Sequence, residues 1–179
     1  MLTRWALPES ANANTEADLP DLSTLTILKT SPANARALGL GHTMSKNPTE
    51  KELHKILNQL MPDAHWQRIE SWQIGAGIPD RNGCYKGVEV WIECKVVQGK
   101  KINLSPLQIN WIEKRTRAGG CVFILAWHKK TGPRLNVNEL IVWGGHEVRE
   151  VKEHGIDAPG QRFYFPVNGD ELRRFVFGC

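Results

Sequence analysis

The chain has 179 residues, 41% hydrophobic and 23% charged, with a formal net charge of +4. That length accommodates one compact domain plus an extension, and the hydrophobic content excludes a chain that is disordered throughout. The longest apolar run, Cys121 to Trp127, falls far short of the roughly 20 residues that span a bilayer, and the N-terminus lacks the apolar stretch of a secretory signal, so a soluble, cytoplasmic protein without a membrane partner is expected.

Residues 1–45 are rich in Ala, Asn, Thr, Ser and Pro and show no sustained periodicity. They read as a flexible N-terminal extension with one short strand over 22–28, followed by a folded domain over 46–179. A helix is expected from Thr49 to Met61, with Asn47 as its cap and Pro48 in its first turn. Leu53, Ile56, Leu57, Leu60 and Met61 form its apolar stripe. A strand over Trp66–Trp72 follows, broken by Gly75-Ala76-Gly77. Arg81 to Cys84 contains an Asn-Gly turn signal.

Val88 to Val97 is the clearest strand. Val88, Val90, Ile92, Cys94 and Val96 share one face; Glu89, Trp91, Glu93, Lys95 and Val97 share the other. Ser105 then caps a helix with Pro106 at its first position and Gly119-Gly120 at its end. Cys121 to Trp127 suits a strand buried on both faces, and His128 to Pro133 a turn. Leu140–Trp143 reads as a strand, Val148–His154 as a short helix closed by Gly155, Arg162–Phe165 as a strand and Asp170–Phe177 as a helix. This order implies an α/β fold, a mixed central sheet with helices on both faces.

Cys84, Cys94, Cys121 and Cys179 include no C-x-x-C pair. His65, His128 and His146 do not fall at zinc-ligand spacing from them, so reduced thiols are expected. His65, His128 and His154 are expected at the surface. Between Lys95 and Arg134 the chain carries nine basic residues and a single acid, Glu113. That excess attracts a polyanion or simply makes a solvated face.

The chemistry-bearing pattern is Pro79-Asp80, twelve intervening residues, then Glu93-Cys94-Lys95. Strand alternation sets Glu93 and Lys95 on one face, about 6 to 7 Å apart. A hairpin would bring Asp80 beside Glu93. Two carboxylates and the Cys94 carbonyl are hard oxygen ligands suited to Mg²⁺ or Mn²⁺. Lys95 would then orient a water or stabilise transition-state charge. The plain alternative is a half-buried strand with charges on its outer face.

The stretches GIPDRNG, VWIECKV, LSPLQINWIEK and AGGCVFILAW together resemble the PD-(D/E)xK nuclease superfamily, closest to its VRR-NUC and Holliday-junction-resolvase-like branches. The resemblance covers about Gly75 to Trp127 and an upstream helix. It implies a restriction-endonuclease-like core of order αβββαβ, metal ligands Asp80 and Glu93, and Lys95 as the catalytic lysine. An acid on the first helix often completes such a site. Glu50 is preferred over Glu52 because it lies nearer the inward stripe.

The resemblance also places Gln108 near the reaction, yet Gln108 equally fits a capping box with Ser105. Trp91 is either a base-stacking residue or cover for a helix. The resemblance implies a Mg²⁺-dependent endodeoxyribonuclease, structure-selective on branched DNA in recombination, repair or phage genome maturation, in a group whose members often form homodimers. The alternatives are a restriction-type or nicking nuclease on linear DNA, and a non-catalytic DNA-binding module.

Overall fold

The computed structural model describes residues 48–69, 76–133 and 136–179. The expected extension, its strand over 22–28, the proposed cap Asn47 and the end of the strand drawn to Trp72 lie outside the described residues.

Helix α1 spans Glu50–Leu60, and its cap is Thr49. The Thr49 hydroxyl accepts from the Glu52 backbone, while the Glu52 carboxylate accepts from the Thr49 N–H at 2.9 Å. This reciprocal box makes Thr49 the cap and leaves Pro48 ahead of the helix rather than within it. The stripe is as expected: Leu53, Leu57, Leu60 and Met61 are buried.

Three strands follow, β1 (His65–Arg68), β2 (Arg81–Tyr85) and β3 (Val88–Val97). The expected turn at Arg81–Cys84 is instead strand β2, paired to β1 on one side and β3 on the other. Gly83 is needed there because the Trp66 ring lies over it; a Cβ would meet Trp66 Cζ3 at 2.4 Å. The actual turn is Lys86-Gly87, both at positive φ (49° and 83°), the backbone a two-residue hairpin demands.

Helix α2 (Pro106–Arg117) carries the chain across to β4 (Cys121–Lys130), which lies parallel to β3. β4 runs three residues past Trp127, through the expected turn, because β5 (Val137–Gly144) pairs with it as far as Lys130. Helix α3 (Val148–His154), strand β6 (Gln161–Tyr164) and helix α4 (Gly169–Val176) complete the chain. The six strands lie in sequence order, antiparallel except for β3 with β4. The α/β order helix, three strands, helix, strand is therefore the observed one.

Apolar layers cover both faces. Leu53, Leu57, Ile92, Cys94, Leu125, Leu172 and Val176 pack on the α1 and α4 side. Ile112, Ile124, Ile141, Trp143 and Val151 pack on the α2 and α3 side. No described helix is long and apolar enough to cross a membrane.

Two further expectations fail on this scaffold. Cys121 and Cys179 form a disulfide, leaving only Cys84 and Cys94 as free thiols. The pairing is tertiary, since it joins the start of β4 to the C-terminus across 58 positions. His128 is buried rather than at the surface. Its Nδ1 lies 2.9 Å from Glu139 Oε1, which also accepts from Arg162 Nη1 at 2.7 Å.

Leu57 tests the α1 layer. Leu57→Ala opens a fully buried position and should lower stability by about 2 to 5 kcal/mol. The measure is urea unfolding with a shifted midpoint and an unchanged slope.

Candidate functional site

The site begins with register. Arg81 pairs with Ile92 across β2 and β3, so Asp80, one residue before β2, comes to the edge of β3 beside Glu93 and Cys94. There the Asp80 carboxylate accepts the Cys94 backbone N–H at 2.9 Å through Oδ2. A side chain thus occupies the backbone position that a longer β2 would have filled.

Alternation on β3 does the rest. Cys94 points toward α1 and is fully buried, while Glu93 and Lys95 point toward α2. Lys95 Nζ sits 2.6 Å from Glu93 Oε1. Glu93 has no exposed surface, and its second oxygen, Oε2, has no hydrogen-bond partner. Burial first, and then the Asp80 carboxylate, push Glu93 up to about 7. The Lys95 ammonium pulls the other way and loses. Burial alone would lower Lys95, but Glu93, Asp80 and Glu50 outweigh it and raise its pKa.

Gln108 closes the expected capping box and also reaches Glu93. Its Oε1 accepts from Ser105 N–H at 2.9 Å, closing the capping box of α2. Its Nε2 donates to Glu93 Oε1 at 2.5 Å. A carboxamide has one acceptor end and one donor end, so the two roles do not compete.

The two acids of the first helix also separate. Glu52 is committed to the Thr49 cap. Glu50 lies close enough to Glu93, Cys94 and Lys95 for its charge to act on all three. Trp91 is cover for α2, with its ring 5.2 Å from that of Trp111 and the Arg115 guanidinium 5.7 Å above it.

Sequence reading passed over two neighbours of Asp80. Arg81 is 4% exposed and donates through Nη2 to Asn58 Oδ1 at 2.6 Å. His54, next to Leu53 on α1, is 9% exposed. Burial first, then Arg81, lower its pKa. The available signal was the position of His54 beside the apolar stripe, which does not distinguish a core histidine from a functional one.

The raised Glu93 has a consequence for stability. Folded, Glu93 gains its proton below about 7; unfolded, below the ordinary 4.5. Between those values the folded chain holds the extra proton. Its stabilising effect is therefore complete below 4.5 and is lost as pH rises through about 7. The span is on the order of 3 kcal/mol. Metal-free protein should show this decline in chemical denaturation, and Glu93→Gln should remove it. Gln108→Glu keeps an N3 acceptor for the cap but sets a carboxylate against Glu93, and should move the decline to higher pH.

No protein-family model matches this sequence. No curated protein matches it either. Among solved structures the chain is similar to Hjc, a Holliday junction resolvase from the archaeal hyperthermophile Archaeoglobus fulgidus. The identity is 15% and the TM-score 0.40, over 66% of this chain and 86% of that one. A likeness of that size carries no argument about chemistry, which rests on the residues themselves.

Proposed function

We propose that residues 46–179 are a metal-dependent DNA endonuclease domain that hydrolyses phosphodiester bonds, behind an N-terminal extension over residues 1–45. The observation that supports this most directly is the unpartnered, fully buried Oε2 of Glu93 beside the Asp80 carboxylate. A buried carboxylate oxygen without a partner is unfavourable by several kcal/mol unless a cation or donor meets it. Asp80, Glu93, the Cys94 carbonyl and Glu50 are hard oxygen donors, the chemistry that Mg²⁺ or Mn²⁺ requires. When bound, such an ion lowers the pKa of a coordinated water and stabilises charge on the phosphate.

The chain's own residues divide the remaining work. Asp80 is aimed by the Cys94 N–H through one oxygen, which leaves the other for ligation. Gln108 and Lys95 both hold Glu93 Oε1, which leaves Oε2 for ligation. The Lys95 side chain is 15% exposed, at the boundary between Glu93 and solvent, where its ammonium donates to the attacking water or to a phosphate oxygen. The basic surface is less available than its count implies. Lys100 pairs with Asp157, Arg115 with Glu89 and Arg117 with Glu113. Phosphate contacts at these residues would exchange one carboxylate partner for another anion, with the salt dependence such contacts carry.

Branched DNA is the substrate that the motif resemblance favours, with cleavage in the manner of a junction resolvase, by a homodimer where two strands are cut. The decisive assay sets four-way junction, flap, single-stranded and linear duplex DNA against Mg²⁺, Mn²⁺ and EDTA. Wild type should cut with either ion and stop in EDTA. Lys95→Ala and Asp80→Asn should each lower the cleavage rate by about 10²-fold or more. Preference for linear duplex would make it a restriction-type or nicking enzyme. DNA binding with no cleavage of any substrate would sink the enzyme reading. Because Glu93 must lose its proton to bind a cation, Mg²⁺ affinity should weaken as pH falls through about 7.

A further inference from the structure

Asp80 has a second set of neighbours on the α1 side of the sheet. His54 on α1, Asp80 ahead of β2 and Cys94 on β3 each place one ligand atom within 4.8 Å of the other two. His54 Nε2 has no hydrogen-bond partner, although the residue is only 9% exposed. The Cys94 thiol is free and its side chain fully buried. A buried imidazole nitrogen without a partner is unfavourable, and among the described residues none hydrogen-bonds it.

Nitrogen, thiolate and carboxylate form a softer ligand set than Mg²⁺ accepts, and one that Zn²⁺ takes readily. Three protein ligands leave a fourth position for water. The charges that act on Cys94 are the carboxylates of Asp80, Glu93 and Glu50 against the single guanidinium of Arg81, a balance that favours a cation. The side chains of Cys94 and Glu93 leave β3 on opposite faces, so this set is distinct from the hard one. Asp80 alone contributes a side chain to both.

We propose that His54, Asp80 and the Cys94 thiol form a second cation site, selective for a thiophilic divalent ion of the zinc class. Its occupation draws Asp80 out of the hard-ion set that Asp80 shares with Glu93, and so switches the nuclease off. On binding, a metal–sulfur bond forms and the thiol proton leaves to solvent. The switching half rests on the nuclease reading above; the binding half does not.

The test uses the full chain, stripped of metal and titrated with Co²⁺ alone. Wild type should develop a thiolate-to-cobalt charge-transfer band in the near ultraviolet, which Zn²⁺ then bleaches. Cys94→Ser should lose the band. Cys84→Ser, which removes the exposed free cysteine, should keep it. His54→Gln should weaken Co²⁺ binding about tenfold or more.

Circular dichroism checks that each variant is folded, and if Cys94→Ser is not, His54→Gln and Cys84→Ser decide. A wild type without the band overturns the site, as does a band that survives in folded Cys94→Ser or one that vanishes in Cys84→Ser. In a second arm, Zn²⁺ is added to Mg²⁺-supported cleavage, with each variant compared to its own zinc-free rate. Cys94→Ser and His54→Gln should require about tenfold more Zn²⁺ for the same fractional inhibition. Equal sensitivity in wild type and both variants removes the switch. Absence of cleavage on every DNA tested fails the nuclease reading and the switch with it, while the cobalt band decides the binding site separately.

Discussion

Glu93 is held where an isolated carboxylate does not readily stay ionised, and much of the surrounding architecture answers to that fact. Strand β3 commits the side chain to the α2 face, with no solvent on it. The fold then surrounds it unevenly. Lys95 and Gln108 crowd one oxygen, and the other meets nothing. Asp80 adds a second negative charge from just ahead of the neighbouring strand. Such an arrangement is unfavourable in a metal-free core, and it is what a hard cation would relieve.

The elements that set up this tension are ordinary ones. A two-residue hairpin at Lys86-Gly87 fixes the register of β2 on β3, and register alone brings Asp80 alongside. The parallel step from β3 to β4 requires a crossover, and α2 is that crossover. Its first turn lands over Glu93 because Pro106 and Ser105 start the helix there. Topology and site therefore share the same few residues.

Legibility in the sequence followed the range of the interaction. β3 and its two faces were plain because alternation is local. The spacing of Asp80, Glu93 and Lys95 was plain for the same reason. Asn82-Gly83 misled because glycine answers two demands, a left-handed turn or room for an aromatic ring, and only Trp66 on the adjacent strand distinguishes them. Helix periodicity leans only slightly toward Glu50 over Glu52, and the cap at Thr49 is what claims Glu52. The burial of His128 depended on Glu139 and Arg162, and the pairing of Cys121 depended on Cys179; neither leaves a periodic trace. His54 was hidden by its place on an apolar helix face.

Gln108 carries a mechanical implication. One amide group both starts α2 and grips the central carboxylate. The outer surface of the same helix presents Leu107, Asn110 and Lys114 to solvent. A shift in the first turn of α2 would therefore alter the hydrogen bond that Gln108 Nε2 gives Glu93 Oε1. The start of the helix and the ionisation of the central carboxylate thus depend on one side chain.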